Sequence, residues 1–324
     1  MPDSNKVFYI QAQIAKGLGV VTFRKIIQYL KNNNLEPHEF LALQHETMRH
    51  EVNLSEGQIS ALFASRTQAE ELYATLQQKQ VEIIGVLDEL YPNKLKKVLG
   101  EQAPFVLFAK GNMKILEEKA VGFCGSRDAS PKGELVATMA STEITAHGYV
   151  VVSGNARGID TCAHVAALNH DGKTIFVAPE GILKFSPRLE SRKLVNSENT
   201  LIVSEFKPND QWSIQNAMQR NKTICGLSNA MILVQSGKTG GTFEAGNFAL
   251  NAKIPLFVAE YSDSDVSGPG NPYFIERGAK PIRKRRSDQS INLDALFANV
   301  DEHFQKPQYH PEIQTSLFTD LPIR

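Results

Sequence analysis

Two short segments of the sequence each combine glycine, a hydroxyl side chain and arginine. The first is Gly125-Ser126-Arg127, and the second runs from Ser153 to Asp160. Glycine lets backbone N–H groups approach a ligand closely, the N-terminus of a following helix favours negative charge, and arginine offers a planar set of donors to phosphate. The segments therefore predict a site for a phosphate-bearing anion. Its candidate residues are Ser126, Arg127, Ser153, Gly154, Asn155, Arg157 and Gly158.

A third loop of similar composition, SGKTGGT, spans residues 236–242 and adds the candidates Lys238, Gly240, Gly241 and Thr242. A further cluster, Arg220-Asn221-Lys222, places two cations around an amide on one helical turn. These three side chains either belong to the anion site or form a solvated helix face. Each loop alone is also compatible with a plain strand-to-helix turn. None of the loops fits G-x-G-x-x-G or G-x-x-x-x-G-K-[ST], which disfavours a standard dinucleotide or Walker A site.

Short β-rich runs alternate with helix-length segments around these loops. The first three runs are Val121 to Cys124, Tyr149 to Val152 and Thr174 to Ala178. Such alternation predicts an α/β fold with parallel strands joined by right-handed crossovers. An open sheet of this kind binds its ligand at the carboxyl ends of the strands. We therefore expect the loops to converge on one cradle.

The totals limit the classes of function. With 42% hydrophobic and 22% charged residues, the chain of 324 residues can bury the core of one large domain and one or two small ones. Lys and Arg total 35 and balance 35 Asp and Glu, so any nucleic-acid surface must be a local patch. The three cysteines lie far apart without C-x-x-C, which predicts reduced thiols in a cytoplasm and no zinc site. No apolar signal core or membrane-length run is present in the sequence.

The chain divides into three parts. Residues 1–66 predict a small all-helical domain, residues 67–286 the α/β domain, and residues 287–324 a short helix with a flexible tail. Gly17-Leu18-Gly19 between two helical segments indicates either a helix-hairpin-helix turn that can hold a DNA phosphate or a glycine-capped turn in a helical bundle. Near the end of the α/β part, KPIRKRR is a basic run that either touches a nucleic-acid backbone or forms a solvated junction. In the short helix, Leu293, Leu296, Phe297, Val300 and Phe304 share one apolar face that we expect to pack on the main domain.

Several motifs together resemble the DNA-processing protein A family (DprA/Smf). The long signature is Ser-Gly-x-Ala-Arg-Gly-Ile-Asp-x-x-Ala-His at residues 153–164, and it is far more specific than any single glycine loop. The other matching motifs are Tyr91-Pro92, Leu107-Phe108-Ala109-Lys110-Gly111, Gly125-Ser126-Arg127, Ser204-Glu205, the Arg-Asn-basic element at 220–228, Gly268-Pro269-Gly270-Asn271 and Gly278-Ala279. The match covers roughly residues 80 to 282, and the N-terminal part fits the small helical domain of the family, which is of the SAM or helix-hairpin-helix type.

The resemblance implies an extended Rossmann-like, three-layer domain with a mainly parallel sheet. It implies a protein without catalytic residues, cofactor or metal that binds and protects single-stranded DNA, forms a homodimer and helps load a RecA-type recombinase in DNA uptake and recombination. The DNA contacts of the family would fall on Arg127, on residues 154–158, on residues 220–222 and on the loop at Gly240. In the tail, Gln314-Thr315-Ser316-Leu317-Phe318 resembles peptides that bind bacterial sliding clamps.

The sequence also departs from the family pattern. Position 155 is Asn where an aliphatic residue is usual, Ala217-Met218 replaces Phe-Pro, and the loop at 237–242 is Gly-Lys-Thr-Gly-Gly-Thr instead of Gly-Ser-Leu-x-Thr. Too few residues follow Arg286 for the C-terminal winged helix of many members. These departures affect the expected DNA path and the RecA contact.

An alternative is a nucleotide-binding enzyme or sensor, because the segment from Gly240 to Glu244 resembles the loop of nucleotide phosphoribohydrolases. A glutamate in that loop could assist N-glycosidic cleavage by stabilising positive charge. Asp160 and His164, four residues apart, either face one another or serve as an N-cap and a packed, hydrogen-bonded histidine. We expect Cys124 and Cys162 to be buried packing residues.

Overall fold

A nine-stranded sheet organises the fold in the computed structural model, which describes residues 3–261 and 268–304. The strands are β1 (Glu82–Gly85), β2 (Val106–Gly111), β3 (Ala120–Cys124), β4 (Val150–Ser153), β5 (Thr174–Ala178), β6 (Thr200–Ser204), β7 (Ala230–Leu233), β8 (Leu256–Ala259) and β9 (Lys280–Ile282). They lie in the order β1-β2-β6-β5-β4-β3-β7-β8-β9. All pairs from β6 to β9 in this order are parallel, whereas β2 pairs antiparallel with both β1 and β6. The predicted mainly parallel sheet is confirmed.

The strand order reverses at β3. From β3 the chain builds outward through β4, β5 and β6 on one side, then returns to add β7, β8 and β9 on the other. An open parallel sheet forms a crevice where this reversal occurs, because the connections after the two central strands leave in opposite directions. The crevice lies at the carboxyl ends of β3 and β7, which the glycine loops follow.

Helices cover both faces of the sheet. They are α1 (Ser4–Ile14), α2 (Val20–Asn32), α3 (His45–His50), α4 (Glu56–Ala64), α5 (Arg66–Gln78), α6 (Asn93–Leu99), α7 (Pro131–Ala146), α8 (Ile159–Asn169), α9 (Leu189–Arg192), α10 (Ile214–Leu227), α11 (Gly241–Asn251), α12 (Gly270–Glu276) and α13 (Asp294–His303). Helices α6, α10, α11 and α12 share one core with the sheet, and α7, α8 and α13 share another. Successive strand residues alternate between the two cores, so Val150 and Val152 face one and Val151 the other. This arrangement is the expected three-layer Rossmann-like domain.

The first five helices form a unit that packs on the antiparallel edge of the sheet. Its core includes Phe8 and Leu30 and continues into β1 and β2 through Ile83 and Phe108. Helix α5, which the sequence placed at the start of the α/β part, packs against α1 of the helical unit. The helical unit therefore shares its core with the edge of the sheet.

The glycine turn of the helical unit joins α1 to α2 as expected. Gly17 has a positive φ of 81° and Gly19 caps α2. The side chain of Gln58 fixes the turn, because its Nε2 donates to the Gly17 carbonyl oxygen at 2.9 Å and to Thr22 Oγ1 at 3.0 Å. The turn is a fixed structural feature, and its contact with DNA stays a prediction.

Helix α13 docks on the main domain as the sequence predicted, but Phe304, the fifth residue of the predicted apolar face, follows the helix and is only half-buried. Leu293, Leu296, Phe297 and Val300 are buried in the core that contains α7 and α8. Asp301 contacts both Lys119 and Tyr149, which ties the helix to the start of β3 and β4. The sliding-clamp resemblance at Gln314–Phe318 lies outside the described residues.

Two cations of the basic run form ion pairs. Arg283 pairs with Glu260, and Arg285 pairs with Asp294 at the start of α13. The run therefore lies at the junction between β9 and α13, with part of its charge balanced locally. Within residues 3–261 and 268–304, no helix combines the length and apolarity needed to cross a bilayer.

Replacing Leu296 with alanine tests the docking of α13. Leu296 is fully buried, so the substitution should lower the free energy of unfolding by about 2–4 kcal/mol through lost burial and a cavity. The measurement is the urea midpoint followed by circular dichroism. Glu302→Ala, an exposed change on the same helix, is the control and should leave the midpoint nearly unchanged. Equal midpoints for the Leu296 variant and the wild type would show that α13 is not docked.

Candidate functional site

Loops that follow β3 and β7 meet with the start of α8 at the reversal of strand order. They enclose a cleft of about 450 Å³, here termed the switch-point cleft. It is lined by Cys124, Gly125, Ser126, Arg127, Ala156, Asp160, Ile214, Ala217, Met218, Arg220, Asn221, Gln235, Gly237, Thr239, Gly240, Gly241 and Thr242. Backbone from two glycine loops thus faces side chains of α10. The expected convergence of the loops is present.

Hydrogen bonds between the loops fix the shape of the cleft. Thr242 Oγ1 at the start of α11 donates to the Gly125 carbonyl oxygen at 3.0 Å, and the Ile159 N–H donates to the Ser126 carbonyl oxygen at 3.3 Å. Gly158 has a φ of 79°, and a Cβ on it would lie 2.4 Å from that same Ser126 oxygen. Only glycine fits this point of contact, because any side chain would separate the two loops.

Arg220 from α10 forms the floor of the cleft. Arg220 is only 4% exposed, and its Nη1 lies 3.9 Å from Asp160 Oδ2. Its Nε and Nη1 are buried without a hydrogen-bond partner among the described residues. A Cβ on Gly154 would lie 1.6 Å from Nη1, so the guanidinium occupies the space that this glycine leaves open. The sequence-based alternative of a solvated helix face is therefore wrong for Arg220.

Acidic groups surround this buried arginine. Burial raises the pKa of Asp160, and the neighbouring Arg220 opposes that rise. Burial likewise raises the pKa of Glu205, whose carboxylate accepts hydrogen bonds from Gln219 at 3.1 Å and Thr223 at 2.9 Å. Asp160 lies in the first turn of α8, where Gly158 is the N-cap, so the predicted N-cap role of Asp160 is wrong. Its carboxylate instead forms an ion pair with Arg220.

His164 supports the loop above Arg220. Its Nε2 donates to the Gly154 carbonyl oxygen at 2.6 Å, because a carbonyl can only accept, and its Nδ1 lies 2.6 Å from Thr174 Oγ1. The ring also stacks on Phe176 with a centroid separation of 3.8 Å. Burial lowers the pKa of His164 to about 3, so the ring is neutral near pH 7. The predicted packed, hydrogen-bonded histidine is confirmed.

Cys124 lies in the wall of the cleft but lacks the properties of a nucleophile. The residue is buried, and burial raises the pKa of its thiol to about 12. A thiol with this pKa carries almost no thiolate near neutral pH. The predicted packing role of Cys124 is confirmed, whereas Cys162 is only partly buried.

The rim of the cleft combines one cation with apolar side chains. The exposed Arg127 places its guanidinium carbon 5.7 Å from the centroid of the Trp212 ring. Trp212 is 49% exposed and Ile214 is 65% exposed. An exposed aromatic ring beside a cation and backbone N–H groups can stack a planar group and hold a negative charge at once.

The predicted site residues fall into distinct positions. Seven line the switch-point cleft: Ser126, Arg127, Arg220, Asn221, Gly240, Gly241 and Thr242. Others support it from behind, since Ser153 Oγ donates to the Phe123 carbonyl oxygen at 2.9 Å and Gly154 lies over Arg220. The side chain of Asn155 contacts the loop that follows β5 instead, because its amide donates to the Ser186 carbonyl oxygen at 2.9 Å.

The remaining candidates lie at or beyond the rim. Arg157 is exposed and pairs with Asp128, while its Nε donates to the Arg127 carbonyl oxygen at 3.3 Å. Lys238 is exposed in the loop after β7 and does not line the cleft. Lys222 lines a neighbouring cleft, as does Glu244, the glutamate of the nucleotide-hydrolase alternative. The structure therefore separates Lys222 and Glu244 from Arg127.

Trp212 and Ile214 were not identified from the sequence. A usable signal exists, because Trp212 is the single tryptophan of the chain and lies in the polar segment PNDQWS just before a helix. A large aromatic side chain in such a polar segment is expected to stay exposed. Its position beside Arg127 follows from tertiary packing, which the local pattern does not encode.

No group of three or more His, Cys, Asp or Glu side chains in the described part of the chain is placed to hold a metal ion. The site offers backbone N–H groups, a buried guanidinium, an exposed guanidinium and apolar contact surface. This set of groups suits an anion attached to planar rings.

Comparisons with known proteins agree with the sequence motifs. The family model for DNA recombination-mediator protein A matches residues 82–292. The DNA processing protein DprA of Bacillus subtilis is 31% identical over 212 residues, which cover 64% of this chain and 70% of that protein. The X-ray structure of DprA from Streptococcus pneumoniae has a TM-score of 0.74 and 25% identity, covering 96% of this chain and 100% of that one.

A second solved structure concerns nucleic-acid binding. It gives insight into the single-stranded DNA-binding mode of DNA processing protein A from Helicobacter pylori. It is 25% identical, has a TM-score of 0.53, and covers 62% of this chain and 90% of that chain. The similarity therefore includes a relative whose binding to single-stranded DNA has been studied.

The neutral state of His164 predicts how stability depends on pH. Its folded pKa of about 3 lies below the ordinary value of 6.5, so the unfolded state binds the proton first as the pH falls. Stability should therefore decrease from pH 6.5 downward, by up to about 1.4 kcal/mol per pH unit from this group. His164→Gln should lose stability near neutral pH through its broken hydrogen bonds and show a flatter acid-side slope.

Urea unfolding over a series of pH values measures the two slopes. Asp160 and Glu205 have pKa values raised by burial and act in the opposite direction in both proteins. The difference between wild type and variant therefore isolates His164. Parallel slopes would contradict its neutral, buried state.

Proposed function

This chain belongs to the DNA recombination-mediator protein A family, and we propose that it binds single-stranded DNA at the switch-point cleft. In this proposal Arg220 and the loop N–H groups hold backbone phosphates, and Arg127 with Trp212 holds unpaired bases at the rim. The proposal accords with the Helicobacter pylori relative, whose single-stranded DNA-binding mode is known. The following observations support it.

The unfilled hydrogen-bonding capacity of Arg220 carries the proposal. A buried guanidinium normally has each of its donors paired, because an unpaired buried donor costs about 1–3 kcal/mol. In Arg220 two of the nitrogens have no hydrogen-bond partner among the described residues, and the side chain lines the open cleft. A phosphate oxygen that reaches the guanidinium from the cleft would form a charge-assisted hydrogen bond with it.

The rim of the cleft favours unpaired bases. Aromatic side chains stack on single-stranded bases, whose faces are free, and contribute about 1–3 kcal/mol per base. Trp212 and Ile214 are exposed at the same edge as Arg127. In a duplex the faces of the bases are covered by their neighbours, so this surface offers less to double-stranded DNA.

The wider role belongs to the same proposal. We propose that the bound strand is protected and presented to a RecA-type recombinase, and that the protein acts as a homodimer without catalysing a reaction itself. The family description as a recombination mediator supports this role. The nucleotide-hydrolase alternative has less support, because Glu244 lines a cleft other than the one that contains Arg127.

Arg127→Ala tests the cation at the rim. The variant should bind oligo-dT about tenfold more weakly, and log K against log salt should be flatter by about 0.7, the value for one lost contact to single-stranded DNA. Gel shifts or anisotropy over a salt series measure both quantities. Arg66→Ala, an exposed arginine on α5 outside the cleft, is the matched control and should behave as wild type.

Two outcomes would contradict the proposed function. One is oligo-dT binding with the same affinity and salt slope in the wild type and Arg127→Ala. The other is release of free base when the purified protein is incubated with nucleoside monophosphates, which would favour the hydrolase.

Trp212 provides its own test of base stacking. Because it is the single tryptophan, its fluorescence should be quenched when oligo-dT binds. Trp212→Ala should weaken binding by roughly fivefold or more, whereas Trp212→Phe should retain most of the affinity since a ring remains. Unchanged fluorescence on saturation with oligo-dT, together with wild-type affinity of Trp212→Ala, would exclude stacking on this residue.

A further inference from the structure

A second cleft of about 520 Å³ adjoins the first. Its lining residues are Val20, Leu99, Gln102, Glu205, Met218, Gln219, Asn221, Lys222, Thr223, Glu244, Ala245, Asn247, Phe248 and Asn251. Met218 and Asn221 line both clefts, so the two adjoin across one turn of α10. The second cleft therefore lies next to any chain-like ligand that occupies the first.

Two helices form the main walls of the second cleft. One face of α11 presents Glu244, Asn247, Phe248 and Asn251, which recur at the spacing of a single helical stripe. The opposite wall comes from α10, where the Asn221 amide donates to the Gly241 carbonyl oxygen at 3.1 Å and fixes the two helices to each other. The cleft thus has a polar stripe with an aromatic ring in its middle.

The charges in this cleft are unsuited to a phosphate site. Lys222 lines this cleft together with two carboxylates, Glu205 and Glu244. Its Nζ donates to Gln102 Oε1 at 2.9 Å and lies 5.9 Å from the centroid of the Phe248 ring. Amide side chains and the apolar residues Leu99, Met218 and Phe248 make up most of the remaining lining. An uncharged planar group with hydrogen-bonding edges fits this chemistry, and a nucleobase is such a group.

We propose that the second cleft receives one unpaired base of the strand whose backbone lies in the switch-point cleft. This inference rests on the proposed function and adds a base subsite to it. The base contacts the Phe248 ring, and its edge faces the amides of Asn247 and Asn251. The strand crosses from one cleft to the other over Met218 and Asn221.

Abasic scanning of a short oligonucleotide tests the subsite. An oligo-dT of about nine residues, within the size that one single-strand site covers, is made with one abasic position moved stepwise along it. With the wild-type protein, removal of the base at one position should weaken binding by roughly tenfold. This position is separate from any position whose base contacts Trp212. In Phe248→Leu the ratio of the dissociation constants of the abasic and intact oligonucleotides should fall to about one at that position. The same ratio at the position that contacts Trp212 should be unchanged.

Control variants separate the subsite from general effects. Phe63→Leu makes the same change in a half-buried phenylalanine of the helical unit and should keep the wild-type abasic profile. Because Phe248 packs against the core of the sheet, thermal unfolding of Phe248→Leu checks that it folds. Asn251→Ala, at an exposed position on the same stripe, gives a second variant that should lose part of the same penalty without loss of stability.

The outcomes distinguish this inference from the proposed function. If binding depends on Arg127 but the abasic profile is the same in the wild type, Phe248→Leu and Asn251→Ala, the base subsite is wrong and the proposed function stands. If the wild-type protein shows no salt-sensitive binding of the oligonucleotide, both are wrong. Loss of the one penalty in both cleft variants, with the Phe63→Leu profile unchanged, supports the subsite.

Discussion

The burial of Arg220 beneath Gly154 is the constraint on which the rest of the site depends. Moving a charged group out of water costs several kcal/mol unless partners compensate. Asp160 compensates from 3.9 Å, and its own carboxyl is buried at the start of α8. Gly154 must lack a side chain, because a Cβ would lie 1.6 Å from the guanidinium. Two segments that are far apart in the sequence, residues 154–160 and the α10 turn with Arg220, thus together place one cation under an open cleft.

The sheet explains why these segments meet. The reversal of strand order at β3 opens a crevice between the loops that follow β3 and β7, and the loop after β4 closes its side. Hydrogen bonds from Thr242 to Gly125 and from Ile159 to Ser126 then hold the loops at a fixed separation. Because the cores on both faces of the sheet are formed by buried aliphatic residues, the loops are built on a rigid support, which a preorganised binding site requires.

Much of the fold could be predicted from the sequence, because its signals are local. The strand Thr174–Ala178 was predicted with the bounds that the structure shows, since it is a short β-rich run between polar segments. The apolar stripe of α13 predicted its docking for the same reason. The burial of Arg220 could not be predicted, because Arg-Asn-Lys on one helical turn has the pattern of a solvated face. The burial depends on Gly154 and Asp160, which are distant from Arg220 in the sequence. The separation of Lys222 from Arg127 is likewise a consequence of how α10 is rotated against the sheet.

The central claim is that the Arg220 guanidinium binds a backbone phosphate of single-stranded DNA. The most direct measurement is the distance between the Arg220 guanidinium and the nearest phosphate oxygen in a crystal structure with oligo-dT bound. The account predicts an N–O distance of about 2.7–2.9 Å, typical of a charge-assisted hydrogen bond, with the strand lying in the switch-point cleft. A strand that binds elsewhere on the protein, with the Arg220 nitrogens still lacking a partner, would contradict the account.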